Sequence, residues 1–475
     1  MRQIFDTALV DSFQKVVEQS ILKLANGKDL TAFQETLRDG MNQICVTIQQ
    51  RLLEQIDGEL VANSTARKNW VITRRNDPKT ILSPFGPVTY HRTYFKNKKT
   101  RRHAYLTDNL VGYTPHQRLD TLLEADVLTE SLDRSFRKAG KSQGKRAKGT
   151  EVSGQTVLNI VRKLQPEKVE IKEAPRRRRK CPIIYIEADE DHVPHQKKGT
   201  RAFEQKLVYI HEGRTALSQG RYQLLNKKYL TFSPGTKTEE IWNTIWHYLD
   251  DTYALEKAER IYISGDGAYW IKAGAEYIPN STYVLDSFHL RQAILRGAGA
   301  DKDNRRALGK AIWYAKQTQM NKILTQLLKA AGEESRRQTI INVYKYLNNN
   351  WHGIKASKEH REYIVGCSAE GHVSHVLSAR LSSRPMGWSY LGANQMAHLR
   401  VHRENGMDIH KLYIKEHKKE NKFSARKRYS MPTAIPTVKA AGGSFETLDN
   451  IPSFRDGSNA FARLLRRIAN YGDNI

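Results

Sequence analysis

Ile183-Ile-Tyr-Ile-Glu-Ala-Asp-Glu-Asp-His-Val193 and Arg260-Ile-Tyr-Ile-Ser-Gly-Asp-Gly-Ala268 decide how this chain is read. Each is a short apolar run that ends on an aspartate, Asp189 in the first and Asp266 in the second. Short apolar runs bounded by polar residues read as buried strands. Between them, Leu207 to Ile210 and Tyr229 to Phe232, the latter starting as early as Tyr222, read as two more strands. Lys237 to Leu249 keeps Ile241, Ile245 and Leu249 in helical step. Beyond Asp266, Tyr269 to Tyr277 reads as a short helix, Thr282 to Leu285 as a strand, and Phe288 to Leu295 as a helix.

The element order is therefore βββαβαβα. Three strands joined by hairpins and then two crossover units make a mixed five-stranded sheet with helices on its faces, α/β in class. That is the order of a ribonuclease-H-like catalytic core. Adjacent strands bring Asp189 and Asp266 together, and two carboxylates so placed repel unless divalent cations sit between them. Oxygen ligands that leave room for water and phosphate suit Mg²⁺ or Mn²⁺, and two such ions serve in-line displacement at a phosphodiester. A single aspartate at a strand end would be read as a turn or cap residue; the pair in this order reads as metal ligands.

Outward from this core (residues 181–295), residues 296–365 read as a helical insertion, with Leu308, Ile312, Ile323, Leu327, Ile340, Val343 and Leu347 in step. Residues 366–400 return to the core. There Glu370 precedes a helix carrying Val373, Val376 and Leu377, and is the natural third carboxylate. Asp286 competes with it, but its place at the end of the fifth strand, one helical turn from His289, suits a supporting role that orients a ligand. Asp191 shares strand parity with Asp189 and is an alternative ligand. His289, Cys367, His372 and His375 have ligand types acceptable for zinc, though the spacing is loose. Arg384 and Trp388 fit a phosphate contact and a base stack; a buried core tryptophan is the plainer reading of Trp388.

On the N-terminal side, residues 1–70 read as helical, with Phe13, Val16, Val17, Ile21 and Leu24 spaced for one buried face. Residues 71–117 hold two strands around a Pro/Gly turn between Thr80 and Phe95. Residues 118–175 return to helix, with a basic, Gly-rich loop expected from Lys138 to Lys148. Ser153 caps a following helix whose apolar positions are Val157, Ile160, Val161 and Leu164. Ser153, Gln155, Thr156, Asn159 and Arg162 lie near or on its other side, and Lys145 and Arg146 stand in front. This is a helix-turn-helix pattern that offers polar side chains to a DNA groove; a plain helical hairpin has the same outline. Residues 401–475 form a basic C-terminal region, in which Arg400 to Lys427, with Tyr413, His417 and Tyr429 interleaved, either tracks a DNA backbone or is a tail. A last helix is expected at Asn459 to Ile468.

Composition agrees with a polyanionic partner. The 475 residues carry 78 Lys+Arg against 50 Asp+Glu, a formal +28, and neutralising phosphates releases counterions. Cys45, Cys181 and Cys367 are too few and too scattered for a disulfide framework, so a reducing compartment is expected. No signal peptide and no membrane-spanning run is read.

The chain resembles the DDE transposases of the bacterial ISLre-two insertion-sequence family, distant relatives of the Mutator group. The resemblance runs through Thr80 to Val88, Pro115-His-Gln-Arg118, Val152-Ser-Gly-Gln-Thr-Val157, Glu187-Ala-Asp189, Gly265-Asp-Gly267, Asp286-Ser-Phe-His289 and Cys367 to Trp388. It implies metal-dependent cleavage at element ends and strand transfer into target DNA, with the three carboxylate roles on Asp189, Asp266 and Glu370. Where a Gly follows the first Asp in related enzymes, Glu190 stands here. The expected partners are double-stranded DNA and further copies of the chain on it, in the cytoplasm at the nucleoid. A catalytically silent DNA-binding regulator and a nuclease without strand transfer are the competing readings.

Overall fold

A computed structural model describes residues 7–428, except 28, 66, 68, 148–150, 170–176 and 220, with side chains as far as residue 418. The chain divides into two units, Met1–Ala425 and Arg426–Ile475, and the three sheets found among the described residues all lie in the first. The helix expected at 459–468 and Tyr429 lie outside the described residues, whereas the backbone of the basic stretch 400–427 is described and is mostly helical.

Two helices open the chain, α1 (Thr7–Gly27) and α2 (Leu30–Ala62). Asp29 caps α2 by accepting from the N–H groups of Thr31 and Ala32. The face expected to be buried on α1 is covered only at its middle. Phe13 is 47 % and Leu24 37 % exposed, because α1 packs chiefly against α2. A three-stranded antiparallel sheet follows, β1 (Trp70–Ser83), β2 (Gly86–Asn97) and β3 (His103–Tyr105). Its tight turn at 84–85 ends on Gly86, whose φ of 145° favours glycine.

Four helices come next: α3 (Leu106–Val111), α4 (Thr121–Ser131), α5 (Phe136–Arg146) and α6 (Gly154–Leu164). The expected loop at 138–148 is helix as far as Arg146. Ala139, Gly140, Gln143 and Gly144 are not loop residues but the buried face of α5. With no side chain, Gly140 lets the segment leading into α6 approach so closely that a Cβ there would collide with the Val152 carbonyl. Ser135 caps α5 and Ser153 caps α6, each accepting from a backbone N–H three residues on.

The central sheet is built from β4 (Ile183–Val193), β5 (Phe203–His211), β8 (Lys228–Phe232), β9 (Arg260–Gly265) and β10 (Ser281–Leu285). A separate hairpin, β6 (Arg214–Ser218) and β7 (Arg221–Leu224), sits between β5 and β8 in sequence. The order across the sheet is β10–β9–β4–β5–β8. The first three run parallel and β5 and β8 alternate. Ile184, Ile186 and Ala188 of β4 turn to one face, where α7 (Thr238–Thr252) packs Ile241, Trp242, Ile245 and Leu249. Helices α8 (Tyr269–Lys272), α9 (Gly274–Tyr277) and α10 (Ser287–Ala298) succeed their strands. Four more helices, α11 (Lys302–Trp313), α12 (Gln317–Ala330), α13 (Glu334–Asn349) and α14 (Trp351–Glu359), fill the stretch before the chain returns to the sheet.

The other face of the sheet is covered by α15 (Ala369–Val373), a π-helical turn (Ser374–Ser378), α16 (Ala379–Leu381), α17 (Tyr390–Glu404) and α18 (Ile409–Arg428). One continuous core joins these helices, Leu207, Tyr209 and Tyr229 of the sheet, and Leu128, Leu132, Val157 and Val161 of α4 to α6. The helix-turn-helix-like region is thus part of the molecule's second core. Arg400 belongs to the same junction and not to a DNA-tracking tail. It is 3 % exposed and donates to the carbonyls of Val376, Leu132 and His375. Tyr413 and His417 are buried as well, Tyr413 donating to Glu124 and His417 lying against Lys163.

Candidate active site

Strand register brings three acidic residues to one level. β4 and β9 run parallel with Glu187 opposite Ser264, so two residues further on Asp189 is level with Asp266. β10 pairs Leu285 with Gly265, and the Asp286 N–H donates to the Gly265 carbonyl at 2.9 Å. Asp266 comes directly after the end of its strand, its carboxylate accepting from the Ala268 N–H at 2.8 Å. Asp189 does not end its strand, as the sequence had implied. It sits inside β4, opposite Leu207, and the strand continues to Val193. Gly267 has φ 99°. The space where its Cβ would lie is filled by the Asn350 amide, so glycine is needed there for packing as well as for conformation.

Burial, and beyond it the charge of Asp266, push the Asp189 carboxyl up to about 6. A half-buried carboxylate pair strained in this way fits a divalent cation, which would relieve the repulsion. Asp286 is nearly fully buried. It caps α10 through the Phe288 N–H at 3.1 Å and accepts from His289 Nδ1 at 2.8 Å. That contact, with the nearby Asp189 and Asp266, raises the His289 pKa. Asp191 has a different job. It is 6 % exposed and accepts from the hydroxyls of Ser378 at 2.8 Å and Ser382 at 2.7 Å, tying the π-helical turn and α16 to β4.

Glu370 is exposed in the first turn of α15. Ala369 and Val373 seat this helix in the core, and His372 leans over β5 and β8, against the Tyr209 ring and within 2.5 Å of the Tyr229 hydroxyl. At 100° per residue, residue 370 lies about 160° around the axis from residue 372. Glu370 therefore lies on the opposite side of the helix, exposed. Among the described residues, no group of three His, Cys, Asp or Glu side chains is gathered closely enough to hold a metal ion. The trio is open, with Glu370 not drawn in.

One group escaped the sequence reading. Glu187, 2 % exposed, lies on the same face of β4 as Asp189 and Asp191. It accepts from the Ser368 N–H at 2.6 Å, from His211 Nε2 at 2.9 Å and from the Tyr209 hydroxyl. These bonds hold its carboxyl below the usual range against burial that acts the other way. Glu187 thereby fixes the start of α15, two residues before Glu370, to the strand bearing Asp189. A glutamate inside the apolar run Ile-Tyr-Ile-Glu-Ala was the signal, since a buried charge needs partners.

The zinc set does not assemble. His289 is held by Asp286, Cys367 is half-buried beside Glu187, and burial lowers His372 to about 4. Trp388 is not free to stack on a base. It is 5 % exposed, donates to the Leu381 carbonyl at 3.0 Å, and meets Phe136 edge to face. Arg384 nearby is exposed. Lys145, Arg146, Ser153, Gln155, Asn159 and Arg162 are exposed, and Thr156 is half-buried. Gln155 donates to Asn159 at 3.0 Å, and Ser153 and Thr156 share a hydroxyl contact at 2.9 Å.

No helix among the described residues is long and apolar enough to cross a membrane. Several proteins of Caldanaerobacter subterraneus subsp. tengcongensis are similar to the chain over nearly its full length. UPF0236 protein TTE2489 is 34 % identical over 470 residues, covering 98 % of this chain and 99 % of that protein. A second, whose name joins four locus designations, is 34 % identical over 457 residues, 96 % of this chain and 95 % of the relative. A third, named under eleven loci, is 34 % identical over 413 residues, 84 % and 86 % of the two chains. The model of the uncharacterised protein family UPF0236 matches residues 23–418, and the chain belongs to that family.

Proposed function

We propose that the protein is a DNA transposase with a ribonuclease-H-like core, cleaving at the ends of an insertion element and joining them to target DNA. The observation that carries this reading is the level placement of Asp189 and Asp266 on neighbouring parallel strands, with Asp189 held at about 6. The strand order, two antiparallel strands beside three parallel ones, supports it, as does the positive charge. A relative under eleven locus designations in one organism is also what an element that copies itself would leave.

In this reading Asp189, Asp266 and Glu370 would hold Mg²⁺ or Mn²⁺, which when bound would activate the attacking oxygen and stabilise the leaving one. Asp189 and Asp266 fix the position of the scissile phosphate from the sheet. Glu370 approaches from α15, moving toward the pair once DNA is bound. His289, oriented by Asp286, donates a hydrogen bond at the rim. Further copies of the chain on the DNA are part of the proposal, since two ends must be joined. The test is incubation of the full chain with Mg²⁺ and DNA carrying the sequence that flanks its gene. Cleavage followed by joining to a target supports the reading. Cleavage without joining assigns a nuclease, and binding without cleavage a regulator.

A further inference from the structure

Three stretches without a single Asp or Glu meet at one end of the sheet: 134–147, 192–203 and 371–403. The middle one is the turn between β4 and β5, His192-Val-Pro-His-Gln-Lys-Lys-Gly-Thr-Arg-Ala-Phe203. Its base is firmly seated. The backbone N–H of Trp388 donates to the Pro194 carbonyl and the Gln196 N–H to the Trp388 carbonyl, both at 2.9 Å. His195 packs on Tyr390 with ring centres 5.1 Å apart, and a Cβ at Gly387 would press on the Gln196 backbone. Its tip is the opposite. Lys197, Lys198 and Arg201 are all exposed around Gly199, whose φ is 76°.

The seat also ties the turn to α5. Trp388 meets Phe136, the first residue of α5, with ring centres 5.9 Å apart, and Arg380 lies over both rings. Arg137, Lys138, Lys141, Lys145 and Arg146 belong to the same stretch. On the other side, three residues of β4, Glu190, Asp191 and His192, lie between Val193 and Asp189, about 13 Å of extended chain from one to the other. The basic residues of α5 and of the turn thus stand on elements that share one seat, and β4 leads from that seat to Asp189.

The geometry points to the β4–β5 turn as a phosphate-gripping arm, in which Lys197, Lys198 and Arg201, with Arg384 beside them, hold the backbone of duplex DNA between the helix-turn-helix-like region and Asp189. A pre-seated loop with long cationic side chains at its tip loses little order on binding, and each phosphate it neutralises releases counterions. This rests on the proposed DNA reading and adds the path the duplex takes.

The test uses the full chain and a labelled duplex of the gene's flanking sequence, with binding followed by fluorescence anisotropy from low to high salt. K197A/K198A/R201A is expected to bind on the order of tenfold more weakly at about 0.15 M salt, with a salt slope smaller by about 2 to 3. Its thermal midpoint should match the parent's, because the tip is exposed. K322A/K329A/K345A, which removes three exposed charges from α12 and α13, should bind as the parent does. Equal affinity and slope in the turn variant, an equal loss in the control variant, or preference for an RNA duplex of the same sequence would each overturn the arm. A parent chain that binds no duplex at any salt overturns the DNA reading itself, and the arm with it.

Discussion

Asp189 carries a cost that can be measured without any DNA. Its carboxyl has the ordinary value 3.8 when the chain is unfolded and about 6 when folded. A value raised by folding means that stability is fully present below pH 3.8 and is lost as the pH rises through 6. Metal-free protein should therefore be less stable at pH 7.5 than this carboxyl would allow if it were neutral. Asp189→Asn is expected to raise the stability at pH 7.5 by up to about 3 kcal/mol, and by less at pH 5. Partial exposure to solvent lowers that ceiling. Chemical denaturation at the two pH values measures it, and a loss of stability in the variant at pH 7.5 would be the wrong sign. The same substitution and Asp266→Asn should lower cleavage by on the order of 10³-fold or more while duplex affinity holds. A variant that cuts at the parent rate with Mg²⁺ rules out the metal assignment.

At the scale of elements, α15 is held by Glu187 at its start, and the π-helical turn after it by Asp191. Glu187→Ala leaves His211 and Tyr209 buried without their acceptor, and should cost about 3 to 5 kcal/mol. A change below about 1 kcal/mol in urea unfolding would mean that α15 is anchored elsewhere. For α6, Gln155→Ala and Asn159→Ala should alter which duplex sequence is preferred, whereas Lys145→Ala and Arg146→Ala on α5 should weaken all sequences alike. A competition assay across duplexes separates the two outcomes. Most of the sheet could be read in advance, because Ile183 to Ile186, Leu207 to Ile210 and Ile261 to Ile263 are unbroken apolar runs. The continuation of β4 past Asp189 could not. Asp191 and His192 look like loop residues until Ser378 and Ser382, nearly two hundred positions away, supply the partners for Asp191. The hairpin β6–β7 was glimpsed only as an early start of the third strand at Tyr222, which lies in β7 and not in β8, for a related reason. Its residues are nearly all exposed, and a ribbon with no core face leaves no alternation of apolar and polar residues. The glycines of α5 were read as loop punctuation, whereas they serve close packing.

On the scale of the whole molecule, seven regions could be marked along the sequence, but two cores organise the fold. One lies under α7 and the helices 287–359, and the other joins α4 to α6 with α15 to α18. Arg380 donates to the Ser131 carbonyl, and Arg400 to those of Leu132 and Val376. The contacts to Ser131 and Leu132 link segments about 250 residues apart, so no local pattern announced them. A fragment of residues 71–165 should therefore not fold alone, though it holds the whole helix-turn-helix-like region. Its amide exchange should lack the protection that α4 and α6 have in the full chain. Well-protected amides in the isolated fragment would mean that the region is an independent module after all.

The π-helical turn Ser374–Ser378 follows Glu370 and ends on Ser378, which with Ser382 bonds Asp191. Such a turn holds one residue more than the regular helix around it. Deleting Ser374 would let the segment close into regular helix, and everything before the deletion would rotate by about 100° relative to everything after it. With Ser378 and Ser382 still tied to Asp191, Glu370 would turn to another side without any change in its own chemistry. The shortened protein should keep its helical signal and its duplex affinity yet no longer cut. On the proposed reading the extra residue is a phase setting: it would time Glu370 to the sheet, and a one-residue slip would silence the site as fully as losing the glutamate.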